Sequence, residues 1–263
     1  MLLTEWLIIG AIALFAIPGV LFYLYQHRLV FAPNYYPNRS LFVEYSHCYH
    51  LQTIEVSDGV TLEGVVYEPE EKASATVLYF GGKEQDSVVL IGKFSLHYPA
   101  VRFVAFNYRG YGVSGGKPSH KTIFDDAEKI YDWAHKTYGD TGVLGYSLGT
   151  SVAAYLGAKK RPRWVVLVSA FSSVERLIKE RIVAVPRFLV RGKYDTLTQV
   201  KEMVTPLYLF ASRDDKVVPF AHTLELKAAA RHLAGFKEFS GYNHADLLFS
   251  EELENELTKV FSK

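Results

Sequence analysis

Three residue types that together can carry an acyl transfer lie far apart in this chain: Ser147, His244 and one of Asp214 or Asp215. A serine hydroxyl is a weak nucleophile until a base takes its proton, and that base needs a third group to orient it. Ser147 stands in Gly145-Tyr146-Ser147-Leu148-Gly149. The pentapeptide alone is a common pattern, but its context is specific. Val143-Leu144 closes an apolar run, and the alanine-rich stretch 151–156 is helix-compatible, so strand, tight turn and helix follow one another. Glycines at 145 and 149 leave out the Cβ atoms that such a turn would press together. Of nine histidines, His244 is the one set in a turn (SGYNHADLL) straight after the last apolar run. The stretch LYLFASRDDKVVPF ends the preceding run and offers Asp214 and Asp215 as the acid. The chain order Ser, Asp, His, with each member past a different run, is one that a known arrangement of this chemistry uses.

The elements that must position these residues alternate in type. Gln52–Val56 and Thr61–Tyr67 flank Asp58-Gly59 and predict a hairpin. Apolar runs recur at 76–80, 101–107, 142–146, 164–169, 207–211 and 236–240. Helical patterns lie between most of them, notably at 123–136, 147–160 and 219–232, with a last helix over 246–261. Strands alternating with helices predict a mostly parallel sheet covered on both faces. In such sheets chemistry collects beyond the C-terminal strand ends, and Ser147 lies just past one.

With 263 residues and 49% apolar composition, the chain can bury a substantial core. A net charge of +1 gives no reason to expect a nucleic-acid partner. Cys48 is the only cysteine, so no intramolecular disulfide is possible, and the nearby His47 and His50 read as ordinary loop residues, not a metal site. Residues 6 to 26 carry no charge and, as a helix, would span roughly 30 Å, the thickness of a bilayer's hydrocarbon core. Trp6 at one end and Tyr23 and Tyr25 at the other suit the interfaces. A cleaved signal peptide would want a basic start, whereas Glu5 precedes the run. The expectation is a single retained anchor over 1–28 and a globular domain over 29–263. Arg28 and Arg39 follow the span, which favours the cytoplasmic side for that domain.

The stretches LYFGGKEQD, FNYRGYGVSGGKPS, GYSLGTSVAAYLG, ASRDDKVVPF and GYNHADL together resemble the successive signature blocks of α/β-hydrolases. The likeness is greatest to the membrane-anchored, serine-aminopeptidase-like α/β-hydrolase-domain proteins, and it covers about residues 29–260. The resemblance implies the α/β-hydrolase fold, with a mostly parallel central sheet, helices on both faces and an N-terminal transmembrane helix before it. It implies that Asp215 is the acid, because the family's aspartate precedes Val-Pro by two residues, as Asp215 does Val218-Pro219. Asp214 is then a turn residue. An oxyanion hole needs two backbone N–H groups. One comes from Leu148, directly after the nucleophile. The family has His-Gly-Asn in the loop that supplies the other, whereas this chain reads Gly81-Gly82-Lys83, so by position Lys83 donates. Asn107 stands where the family has aspartate, and Arg109 and Tyr111 are assigned to loop structure.

The segment between the runs at 164–169 and 207–211 leaves room for a short cap of a few helical turns. Residues 159–193 hold ten Lys and Arg against two Glu. That balance reads as a solvated basic face or as a patch for anionic headgroups. The resulting expectation is an esterase or thioesterase working through Ser147, His244 and Asp215 on acyl or lipid-like substrates. It needs neither cofactor nor metal and no obligate protein partner. An amidase or peptidase of the same fold and a non-catalytic binding protein are the alternatives.

Overall fold

A computed structural model describes residues 17–34, 47–182, 186–192 and 194–263. Eight strands form one sheet in the order β1-β2-β4-β3-β5-β6-β7-β8. They are β1 (Tyr49–Glu55), β2 (Thr61–Tyr67), β3 (Ala75–Phe80), β4 (Val101–Phe106), β5 (Gly142–Tyr146), β6 (Val165–Val168), β7 (Leu207–Ser212) and β8 (Leu233–Phe239). β1, β2 and β4 pair antiparallel, and every pairing from β4 through β3 to β8 is parallel. β3, β5 and β6 are buried at every residue, as strands covered on both faces must be. Successive side chains divide between two cores: Leu78, Phe80 and Val143 face one, and Val77, Tyr79 and Leu144 the other.

The helices, in chain order, are α1 (His27–Val30), α2 (Ser87–His97), α3 (His120–Tyr138), α4 (Leu148–Lys159), α5 (Val174–Arg181), α6 (Thr196–Glu202), α7 (Phe220–Ala229) and α8 (Glu251–Phe261). α3 and α4 pack on the first core, and α2 and α8 on the second. α3 starts at a capping box between Ser119 and Thr122 and presents Ile123, Ala127, Ile130, Tyr131 and Ala134 on one face. It stops at Gly139, whose φ of 77° suits a residue without a side chain. α8 is capped by Ser250, which accepts from Leu253 N, and buries Leu253, Leu257 and Val260.

Three elements depart from expectation. α2 was not expected, because its run Ser-Val-Val-Leu-Ile-Gly has no helical period; Asp86 caps it by accepting from Val89 N. The last helix is interrupted: a short 3-10 turn over Asp246–Phe249 precedes α8, and Ser250 begins a new N-terminus. β8 begins at Leu233, three residues before the apolar run suggests. The hairpin is present, with Asp58 and Gly59 both at positive φ (63° and 66°). One short helix, α5, forms the cap over a cavity, whereas α6 packs into the core through Val200. Among the described residues no helix is long and apolar enough to cross a membrane. Of the expected span only residues 17–26 are described, and 17–25 are helical; residues 6–16 lie outside the described residues.

The end of β4 is fixed by Asn107, where the resemblance leads one to expect aspartate. Its Nδ2 donates to Glu63 Oε2 (3.1 Å) and Asp86 Oδ1 (2.7 Å), and its Oδ1 accepts from Ser87 N (2.7 Å). All three side chains are buried. An amide can bridge two carboxylates; a third carboxylate there would repel both. Asn107→Asp should therefore cost roughly 3 kcal/mol or more at neutral pH. Chemical denaturation should show the deficit shrinking on acidification, because the added carboxyl takes up its proton more readily in the folded chain than in the unfolded one.

Candidate active site

Ser147 follows β5 and precedes α4 with φ 52° and ψ −115°, a conformation that costs a side-chain-bearing residue on the order of 1–3 kcal/mol. Its N–H donates to Val168 O (3.0 Å), and its carbonyl accepts from Thr150 N and Thr150 Oγ1. The flanking glycines are required by close approach. A Cβ on Gly149 would overlap the Phe80 carbonyl, and one on Gly145 would overlap the Gly149 backbone. The turn is thus wedged against the end of β3.

His244 sits in the loop after β8. Tyr146 Oη donates to its carbonyl (2.8 Å), and the two rings pack with centroids 5.1 Å apart. Asn243 Oδ1 accepts from Ala245 N and Asp246 N, closing a tight turn around it. The ring lies between the other two expected residues: Nε2 is 2.9 Å from Ser147 Oγ, and Nδ1 is 2.7 Å from Asp215 Oδ2. Asp215 lies past the end of β7 with its side chain 1% exposed. Its Oδ1 accepts from Val217 N and Val218 N, both at 2.8 Å. Burial pushes this carboxyl upward, but the His244 hydrogen bond and charge, with the two backbone N–H groups, outweigh burial and hold its pKa below the ordinary value. Asp214 points elsewhere: Oδ2 accepts from Gly241 N (2.6 Å) and ties the β7 loop to the β8 loop.

Lys83 and Leu148 stand beside Ser147, and a Cβ added to Gly82 would lie 3.4 Å from that of Ser147. Among the described residues, no carbonyl or side chain accepts from Lys83 N or Leu148 N. The Lys83 side chain pairs outward with Glu84 (3.3 Å). Ser147, His244, Lys83 and Leu148 line a cavity of about 440 Å³. Its walls are mostly apolar: Val174, Leu177 and Ile178 of α5, Phe171 before it, Val218 beyond Asp215, and Leu29 and Val30 of α1. Arg181 lies at its edge and donates to Val217 O (2.7 Å).

The cap is clamped by another histidine, which is fully buried. His222 of α7 accepts at Nδ1 from Ser172 N (3.1 Å), so its other nitrogen, Nε2, carries the proton that faces Glu180 Oε2 of α5 (2.9 Å). Burial lowers its pKa, against the pull of Glu180. Sequence reasoning passed over this residue and α1, neither of which carries a motif, and it missed the part that Tyr146 of the pentapeptide plays against His244. Arg109 is structural as expected, bonded through Nε and Nη2 to buried Asp126 (2.7 and 2.8 Å). Much of the basic excess near the cap is paired: Lys160 with Asp132 and Glu128, Arg176 with Glu180 and Glu225, and Lys179 with Glu175. Buried Cys48 lies near His47 and Glu70, whose potential ligand atoms all fall within 4.8 Å, while His50 is not in that group.

The fold recurs in solved structures. The Pyrococcus furiosus esterase Pf2001 superposes with a TM-score of 0.65 at 19% identity, covering 87% of this chain and 96% of that one. A Xanthomonas campestris serine hydrolase described as lacking a lid gives 0.61 at 16% identity, over 80% and 92%. A family model for the alpha/beta hydrolase fold matches residues 95–190. In fold and in this central segment the chain is similar to α/β hydrolases. In sequence, an uncharacterized Mycobacterium tuberculosis protein is 28% identical over 73% of this chain and 71% of its own. The lysophosphatidylserine lipase ABHD12 of Macaca fascicularis is 29% identical over 61% of this chain. The match spans about half of that lipase, 48% of its length.

The depressed carboxyl sets a pH dependence. Folded Asp215 holds its proton less tightly than unfolded Asp, so its contribution to stability is present above the ordinary value of 3.8 and is lost as pH falls through the folded value. Unfolding free energies of wild type and Asp215→Asn should therefore differ most at neutral pH and converge below about pH 4. A gap independent of pH would contradict the assignment.

Proposed function

We propose that this chain is a serine hydrolase that cleaves carboxylic esters or thioesters through an acyl-enzyme on Ser147. The observation that carries this reading is the unbroken chain from Ser147 Oγ to His244 Nε2 and from His244 Nδ1 to Asp215, at 2.9 and 2.7 Å. A binding scaffold would have no use for a strained serine joined to an oriented base. The relatives named as esterase and lipase support the same class of reaction.

In this mechanism His244 Nε2 takes the Ser147 proton as Oγ attacks the substrate carbonyl carbon. The tetrahedral oxyanion rests on the Lys83 and Leu148 N–H groups, each contributing about 3 kcal/mol. The imidazolium returns its proton to the leaving alcohol or thiol, and Asp215 stays ionised while accepting Nδ1–H. Water then enters, loses a proton to His244, and releases the acid and free Ser147. The apolar cavity has the volume usual for a small-molecule site and would hold the acyl chain. The chemistry calls on no cofactor.

The finer reading places the domain against a membrane through a single helix over residues 6–26, on the cytoplasmic side. The described part of that helix supports it, because Ile17, Val20, Leu21 and Leu24 are all exposed on it. Cys48 is buried, so topology is better read from Leu51→Cys, at an exposed edge position, in a Cys48→Ser background. An impermeant maleimide should label that cysteine only after cells are permeabilised; labelling of intact cells would reverse the orientation.

A fluorophosphonate probe should label wild type and spare Ser147→Ala. Asp215→Asn should lower kcat by about 10⁴ at neutral pH, because it favours the wrong His244 tautomer. Asp214→Asn should stay within about tenfold, since it removes only a loop bond. Rates measured on a series of p-nitrophenyl esters, with melting temperatures matched, check both. The reverse ranking would move the acid to Asp214, and two fully active variants would sink the assignment.

A further inference from the structure

The loop that carries Lys83 is held at each of its carbonyls. Gly81 O accepts from Tyr108 Oη (2.9 Å), and Gly82 O accepts from Gln85 N (3.2 Å). Lys83 O accepts from two directions, Tyr111 Oη (2.6 Å) and Ala32 N (3.1 Å). Because a trans peptide is planar, the Gly82 bond aims the Lys83 N–H away from the Gln85 turn. The Lys83 carbonyl bonds then fix the second peptide plane at that residue.

Tyr111 is fully buried, and its hydroxyl also accepts from Ala32 N (3.0 Å), so both its donor and its acceptor capacity are engaged. Burial drives its pKa upward, which keeps the phenol protonated as a donor. Ala32 belongs to the segment that follows α1, where Leu29 and Val30 line the cavity and Phe31 packs edge-on against Tyr194. Two residues on, Asn34 O accepts from Gly112 N (3.0 Å), beside Tyr111. The segment entering the domain is therefore built into the same loop that flanks Ser147.

We propose that Tyr111 is a positioning residue for the hydrolytic reaction. With Ala32 N–H it forms a strut between the N-terminal segment and the Lys83 peptide, holding the Lys83 N–H where the oxyanion develops. This inference rests on the serine-hydrolase reading above. A donor that is displaced but still present loses part of the stabilisation that deleting it would remove, and a misplacement near 1 Å costs up to about a hundredfold. The cost falls on the transition state, because the ground-state carbonyl carries little charge.

The test uses the full chain and p-nitrophenyl acetate, whose short acyl group makes little use of the cavity. Tyr111→Phe should lower kcat by about ten- to a hundredfold with KM within about twofold. Its affinity for an alkyl trifluoromethyl ketone, which forms an oxyanion adduct on the serine, should fall by the same factor. Ala32→Pro deletes the shared N–H, and Phe31 (φ −117°, ψ 130°) already has the extended conformation that precedes proline. It should reproduce the effect, and the double variant should be no worse than the weaker single one. Gln26→Ala, which removes the bonds from the same segment to Leu189 and Arg191, should leave kcat unchanged. Assays run well below each melting temperature keep partial unfolding out of the comparison. Unchanged kcat and ketone affinity in both variants, a change in KM alone, or a lowered kcat without weaker ketone binding would overturn the strut. Wild type that hydrolyses no ester and escapes fluorophosphonate would instead bring down the hydrolase reading and the strut with it.

Discussion

Where the end of β3 meets the turn between β5 and α4, the backbones of Phe80 and Gly149 approach so closely that no side chain fits between them. That approach is what the rest of the site depends on. It presses the Gly82-Lys83 loop against Ser147, leaves the half-buried serine at positive φ, and points the first turn of α4 at the same space. The strain at Ser147 is tolerable because the surroundings over-determine it: fully buried β3, β5 and β6, and hydrogen bonds on both the N–H and the carbonyl of the residue itself. A looser sheet would let the serine relax into the pocket wall.

The histidine and the aspartate come from separate loops that are tied to each other. Asp214, though it makes no contact with His244, bonds the β8 loop at Gly241, and Ser212 Oγ donates to Tyr242 O (2.6 Å) in the same region. The two neighbouring aspartates thus divide the work, one holding the loops together and the other holding the imidazole. Asp215 stays ionised despite its burial because its two oxygens receive three N–H groups. The cap closes the arrangement with Arg181 and the His222 clamp.

The parts of this architecture legible in the sequence are those governed by short-range rules. Fully apolar strands, glycines at 145 and 149 and the order of Ser147, Asp215 and His244 each have a local chemical reason that appears in the residues themselves. α2 escaped because β-branched residues filling a buried helix show no period. The break at Ser250 escaped because a cap inside an amphipathic run reads as one more polar position. Asn107 was visible as a departure but not as a solution, since Glu63 and Asp86 come from strands and loops distant in the chain. Tyr146, Tyr111 and α1 act through backbone carbonyls or apolar contact far along the chain, and no residue pattern encodes which carbonyl a phenol will find.

The two buried-site histidines are locked in opposite tautomers. His244 carries its proton on Nδ1, facing a carboxylate, whereas His222 must carry it on Nε2, because a backbone N–H already occupies Nδ1. One molecule therefore holds the same ring in both hydrogen-bonding orientations. In a nitrogen-detected magnetic resonance spectrum they would appear as a mirrored pair of protonated and bare nitrogens. The His222 ring, held by Ser172 and Glu180, would serve as an internal standard for His244.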